Sequence, residues 1–248
     1  MKAMILAAGK GTRLIPHTDH KPKALVEINH TTMLEHQINY LTCYGVDEII
    51  INIHHFSDQI KDFIGRKKYK IRIEFSDEQE QLLDTGGGLK KASWFFDDDN
   101  PFLLIGIDIF TNLNLHDLLA FHQNHSALAT LAVKKRRSTR DFLVDRNQML
   151  CGWKNNLTGE KIITRKYESK LISYGFSVIH VINPDIFKLV TETGAFTMTS
   201  LYLRLAEKYR IMVYPHNNDK WFELGRKENL NNPENVRTIA ELIKFYQR

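Results

Sequence analysis

The chain has 248 residues, 43% of them hydrophobic and 25% charged, with a formal net charge of +5. This is the balance of an ordinary soluble globular protein with enough chain for a sizeable core, and no apolar run approaches the length of a membrane span. Cys43 and Cys151 stand alone without a C-x-x-C, which argues against a zinc site or a disulfide framework and makes a reducing cytoplasm the default expectation.

In chain order, Met4 to Ala8 is an apolar run that breaks at Gly9 and Gly11, as a buried strand ending in a turn does. Met1-Lys2 leads straight into it, so no signal peptide is expected. A polar loop follows, then a short strand over 24–28. Thr32-Met33-Leu34-Glu35 is a capping box opening a helix with Leu34, Ile38 and Leu41 on its apolar face and Gly45 past its end. Strands are predicted over 48–53 and 70–76, with a helix from Ser57 to Ile64 between them, stopped by Gly65. A polar loop runs into Gly86-Gly87-Gly88, where a helix carrying Lys90, Ala92 and Trp94 starts. The apolar strand 102–107 ends at Asp108. Asn114 caps a helix over 115–125, and a strand follows over 127–133. Strands alternating with helices argue for an open, mostly parallel α/β sheet. Ligands in such sheets lie beyond the carboxyl ends of the strands, where the Gly9 loop, the triple glycine and Asp108 all fall.

From Lys134 the character changes. Residues 134–170 hold eleven Lys/Arg against four Asp/Glu, a local net of +7 that leaves about −2 for the rest. No aromatic interleaving or RNP-type motif accompanies these charges, so a solvated face or the rim of an anion-binding cleft is favoured over a nucleic-acid surface. Short antiparallel strands are expected over 140–165, a strand over 171–181 broken at Gly175, and a proline-started helix over 184–191. A helix over 199–208 and strands at 211–214 and 221–224 come next. Asn232-Pro233 starts the last helix, with Val236, Ile239, Ile243 and Phe245 on its buried side.

The stretch from Met4 to Ile28 carries the chemistry. Glycines at 9 and 11 let a backbone approach a ligand closely, and successive N–H groups in such a turn form an anion nest. Arg13 adds a planar fork and Lys23 a compact charge behind the rigid Pro22. Two familiar phosphate motifs fail here. Leu14 stands where the dinucleotide fingerprint needs a third glycine, and no glycine precedes a Gly-Lys-Thr at Walker spacing. What does match is Gly9-Lys10-Gly11-Thr12-Arg13 followed by Pro22-Lys23, and on these residues the chain resembles the sugar-1-phosphate nucleotidyltransferases. The nearest look is to N-acetylmuramate-1-phosphate uridylyltransferases and mannose-1-phosphate guanylyltransferases.

The resemblance implies a doubly wound, mostly parallel α/β sheet with a small antiparallel subdomain on the sugar side. One domain would span 1–248, with the nucleotide part near 1–133 and the sugar part near 134–248. It implies Mg2+-dependent transfer of a nucleotidyl group, UTP favoured, to a sugar 1-phosphate, in nucleotide-sugar and cell-envelope synthesis. Arg13 would hold the β- and γ-phosphates, and Lys23 the sugar phosphate or the α-phosphate. Leu6, Ala7, Ala8, Gly9, Gly11 and Thr12 would contact the nucleotide, joined by Asp84 and Gly87 of Asp84-Thr85-Gly86-Gly87-Gly88. Asp108, within Gly106-Ile107-Asp108, and Glu223, where relatives carry an aspartate in Trp-x-Asp-x-Gly, would hold the metal. Gly175 and Glu160, beside Lys161, would face the sugar. The expected partners are an NTP and a sugar 1-phosphate, without nucleic acid or membrane, and a homo-oligomer stays open. His17, His20, His54 and His55 lack ligand spacing. A CTP-dependent phosphocholine-type transferase and a non-catalytic nucleotide-sugar-binding homologue are the alternatives, the latter kept open by Ile107 and Glu223.

Overall fold

A computed structural model describes residues 1–168 and 170–246, apart from the side chains of Pro233 and Phe245, so the expected burial of Phe245 lies outside the described residues. The first strand, β1 (Lys2–Leu6), is followed by the two-residue strands β2 (Glu27–Ile28) and β3 (Thr31–Thr32), then by α1 (Met33–Cys43) and β4 (Glu48–Ile53). Next come α2 (Ser57–Arg66), β5 (Arg72–Asp77), α3 (Asp84–Lys91), β6 (Phe102–Gly106), β7 (Ile109–Thr111) and α4 (Leu115–Asn124). The second half contributes β8 (Ala129–Lys134), β9 (Arg140–Val144), β10 (Leu150–Asn155), β11 (Lys161–Ile163), β12 (Ile172–Ile182), α5 (Met198–Leu205), β13 (Ile211–Pro215), β14 (Trp221–Glu223), α6 (Lys227–Leu230) and α7 (Pro233–Tyr246).

One large sheet runs β11-β10-β9-β12-β6-β1-β4-β5, with β8 against β12 and β13 against β8. The expected parallel block is β6-β1-β4-β5. The expected antiparallel block is β12-β9-β10-β11. Both faces are covered, and strand alternation sorts the core accordingly. Ala3, Ile5, Ile49, Ile51, Leu103 and Ile105 face α1, α4 and α7 in one apolar cluster. Met4, Ile50, Phe102 and Leu104 face α3 and α5 in the other.

Local chemistry sets the boundaries. The Thr32 hydroxyl accepts from the Glu35 amide at 3.2 Å, and Asn114 caps α4 through the amides of His116 and Asp117. Gly45 follows α1 at φ +79°, the left-handed position that ends a helix. Several boundaries differ from expectation. Residues 23–25 form a 3-10 turn, so the strand expected from Ala24 is only Glu27–Ile28. Helix α2 runs through Gly65 to Arg66. Trp94 lies in a 3-10 turn past α3.

The break expected at Gly175 falls elsewhere. Strand β12 is continuous there, and its irregularity lies between Phe176 and His180, around Val178 at φ +57°. A β-branched residue in that region is strained by about 1–3 kcal/mol. Phe176 and Val178 both line one cavity, and Ser177 between them is fully buried.

Burial holds three histidines neutral. Their pKa values are pushed down by desolvation, to about 4 for His122, about 3 for His180 and about 4 for His216, where Lys134 and Arg136 press in the same direction. The unfolded chain protonates them below about 6.5, the native chain only near 3–4. Stability is therefore complete above pH 6.5 and is lost progressively as pH falls below it. Urea denaturation at pH 7.5 and pH 5 is expected to show a loss of up to about 2 kcal/mol per histidine at the lower pH. Equal stabilities at the two values would contradict the buried neutral state.

Candidate functional site

A cavity of about 1460 Å³ opens at the carboxyl ends of β1, β6 and β8. Leu6, Ala8, Gly9, Arg13, Lys23, Asp84, Thr85, Asp108, Glu160 and Glu223 line it, as do Asn52 and a group of cations from 134–140. It is larger than the usual 300–1,000 Å³ of a site for one small ligand.

The turn after β1 is built as expected. Gly11 sits at φ +69°, its carbonyl accepting from the Leu14 amide at 2.8 Å and the Thr18 hydroxyl at 2.9 Å. Thr12 and Arg13 form the 3-10 turn that follows. A Cβ on Gly9 would meet nothing within 4 Å, so the backbone there is open to a ligand.

Four charged side chains converge beside this turn. The Lys23 ammonium donates to Asp108 Oδ2, and both side chains are nearly buried. Arg13 Nη1 lies 3.5 Å from Glu223 Oε1. Glu223 reaches Asp108 because β14 pairs antiparallel with β7, setting Glu223 opposite Ile109, while the Leu224 amide donates to the Asp108 carbonyl at 2.9 Å. Gly225 forms the floor. A Cβ there would stand 2.4 Å from Asp108 Oδ2, 3.0 Å from Glu223 Oε1 and 3.1 Å from Lys23 Nζ.

This cradle, two carboxylates facing one point with nothing larger than glycine beneath, fits a magnesium ion. That ion needs one or two carboxylates and takes its other ligands from phosphates and water. Among the described residues no group of three or more His, Cys, Asp or Glu side chains could hold a metal ion.

Some candidate residues turn out to serve other contacts. The Ala7 amide is spent on Asn52 Oδ1 at 2.7 Å. Gly87 is packed rather than open, since a Cβ would lie 2.5 Å from the Gly194 carbonyl. Gly86 lies as tightly against Phe196, and Gly88 against Glu78 and Asn52, so all three glycines serve close packing of α3. Gly175 lies under Arg136, whose Cζ and Nε would stand 3.0 Å from a Cβ.

Other residues were invisible to motif reading. Asn52 donates to the fully buried Glu78 at 2.8 Å, and Glu78 accepts the Leu83 amide at 2.9 Å, so one relay ties the β1 turn to the loop before α3. The only signal was a polar residue inside the E-I-I-I-N-I run. Ser177, His216 and Asp219 also form a row, with Ser177 Oγ 2.7 Å from His216 Nε2 and His216 Nδ1 3.5 Å from Asp219. Ser177 is wholly buried, so this row presents no nucleophile to a substrate.

The fold and sequence have counterparts among known proteins. The nucleotidyl transferase family profile matches residues 2–147, and the chain belongs to that family. A mannose-1-phosphate guanyltransferase of Gibberella zeae is 40% identical over 138 residues, 54% of this chain and 38% of that protein. An N-acetylmuramate alpha-1-phosphate uridylyltransferase of Caulobacter vibrioides is 41% identical over 109 residues, 43% of this chain and 45% of that protein. These matches thus span less than half the length of either relative. The structure of HddC from Yersinia pseudotuberculosis complexed with GMP-PN superposes with a TM-score of 0.71 at 19% identity, covering 98% of this chain and 99% of that one. UDP-glucose pyrophosphorylase complexed with UDP-glucose gives 0.72 at 16% identity, covering 99% and 98%. At these identities the likeness is one of fold.

Lys23 holds one oxygen of Asp108, so a divalent ion placed on that carboxylate would compete with an ammonium. Lys23→Met is expected to tighten binding of Mn2+ alone by roughly tenfold, since one partly desolvated charge pair no longer competes. Isothermal titration without nucleotide measures it, and unchanged or weaker binding would show that the lysine does not guard the carboxylate.

Proposed function

We propose that the chain transfers a nucleotidyl group from an NTP to a sugar 1-phosphate, releasing pyrophosphate. The observation that carries this reading is the meeting of Arg13, Lys23, Asp108 and Glu223 beside the open Gly9 turn, in a cavity roomy enough for two substrates. A phosphate oxygen of the sugar phosphate attacks the α-phosphorus. The new P–O bond forms as the bond to the β-phosphate oxygen breaks, and no proton need move. The chemical demand is in-line placement of two anions and neutralisation of their charge, which side chains meet by position and electrostatics.

Each residue then has a role. The Gly9–Arg13 turn cradles the triphosphate, with Arg13 at the β- and γ-phosphates that leave. Lys23 stands between the α-phosphate and the incoming sugar phosphate and lowers the repulsion between them. Asp108 and Glu223 would hold Mg2+, which when bound supplies charge neutralisation at the phosphates. Glu223 is one methylene longer than the aspartate expected there, and the β7–β14 pairing still sets its carboxylate over Gly225. Leu6, Ala8, Gly9, Asp84 and Thr85 form the nucleoside end of the cavity and Glu160 lies toward the sugar. Uracil is our reading of the base, from the resemblance to the N-acetylmuramate-1-phosphate uridylyltransferases. Guanine is the competing reading, since similar relatives include enzymes named for guanylyl transfer. Two free cysteines suit a cytoplasmic setting.

The test is pyrophosphate release over a matrix of UTP, GTP, CTP, ATP and dTTP against mannose 1-phosphate, glucose 1-phosphate and N-acetylmuramate 1-phosphate, with and without Mg2+. The expected result is Mg2+-dependent release with UTP. Asp108→Ala and Glu223→Ala should each lower kcat by roughly 100-fold or more. No release from any pair, with NTP still bound, would favour a nucleotide-binding homologue without catalysis.

A further inference from the structure

The segment after β8 places Lys134, Arg136, Arg137 and Arg140 on the wall of the cavity. Lys134 is already engaged, its ammonium donating to the carbonyls of His216, Asn217 and Asp219. The side chains of Arg137 and Arg140 make no ion pair or hydrogen bond among the described residues.

Arg136 is built in. Its guanidinium stacks on Trp221 with Cζ 4.3 Å from the ring centroid, and Nη2 donates to the Phe176 carbonyl at 2.8 Å. The missing side chain at Gly175 makes the space. Yet Nε is buried with no partner, which leaves a desolvated donor unpaid. Burial presses the arginine's pKa down, and Glu223 and Asp141 offset only part of that cost. A stiff guanidinium with donors to spare is a receptor for an oxyanion.

Its position defines which oxyanion. Trp221 and Glu223 are alternate residues of β14, so they lie on one side of the strand about 7 Å apart. Arg136 over Trp221 and the cluster of Lys23, Asp108 and Glu223 thus stand on neighbouring same-side positions of β14, along one cavity wall.

We propose that Arg136, flanked by Arg137 and Arg140, binds a second anionic group on the acceptor, a carboxylate or a phosphate carried by the sugar itself. The acceptor is then a sugar 1-phosphate with one further negative charge. This rests on the reading of the site as a sugar-1-phosphate nucleotidyltransferase and names its substrate class.

Isothermal titration of the full chain with glucose 1-phosphate, glucuronate 1-phosphate and glucose 1,6-bisphosphate tests it and separates carboxylate from phosphate. At least one doubly charged acceptor should bind roughly tenfold or more tightly than glucose 1-phosphate, the strength of one charge-assisted hydrogen bond. In Arg136→Gln that ratio should fall to about one, and Arg136→Lys should restore part of it. Equal binding of all three sugars by the unaltered chain would overturn the proposal, as would a ratio that survives Arg136→Gln. Should that variant fail to fold, Gly175→Ala gives the same reading, because it crowds the guanidinium without removing its charge. Pyrophosphate release is followed in parallel with UTP and Mg2+. Its absence with every acceptor counts against the reaction, while the binding ratio still decides the second anion site.

Discussion

Two carboxylates made far apart in the chain must face one point without repelling each other, and most of the structure around the cavity serves that constraint. The short β7–β14 ladder brings Glu223 alongside Asp108, and Gly225 beneath them has no side chain to intrude. Like charges brought together in a partly dry cleft need counter-charge, and Lys23 and Arg13 supply it. The ladder is itself pinned from behind. The Tyr246 hydroxyl donates to the Thr111 carbonyl at 2.6 Å and accepts its amide, and the Thr111 hydroxyl donates to the Lys220 carbonyl at 2.7 Å. Removing α7 would therefore act on the cavity through β7, although none of its described residues lines it.

The two ends of the cavity are stabilised by different means. At the Gly9 end, strand ends and a buried polar relay do the holding. The parallel strands stop together, and the Asn52–Glu78 relay fixes the β1 turn against the loop before α3. At the Trp221 end a stacked pair does it, with Arg136 laid over Trp221 and the Trp221 indole N–H donating to the Ser177 carbonyl at 3.0 Å. The bulge at Val178 lies between these arrangements, with Phe176 and Val178 both on the cavity wall. Strain at such a point persists only where the surroundings over-determine it. Here β12 is held by β6, β8 and β9 at once.

Much of this was legible before the structure. The parallel block followed from apolar runs separated by capped helices, and Thr32 and Asn114 marked helix starts through bonds that depend only on local sequence. The convergence of the Gly9–Arg13 loop, Lys23, Asp108 and Glu223 on one cavity was legible because motif order marks residues that meet. The failures share a cause: they concern what lies opposite a residue rather than beside it. Gly87 and Gly175 read as room for a ligand, but the neighbours that require glycine are Gly194 and Arg136, distant in sequence. Asn52 and Glu78 carried no motif, since their role exists only once two loops meet. Val178 could not be found by pattern, because a valine in a strand gives no sign of a left-handed backbone.

The β7–β14 ladder also bears on the protein's birth. On the ribosome, Asp108, the Gly9 turn and Lys23 emerge long before Glu223, so the early chain can gather a triphosphate loop but not the paired carboxylates. Strand β12, which joins the two blocks of the sheet, arrives between these events. A chain that stops before β14 would lack the Glu223 carboxylate, and the strand that joins the sheet's two blocks is made before the ladder that brings Glu223 to Asp108.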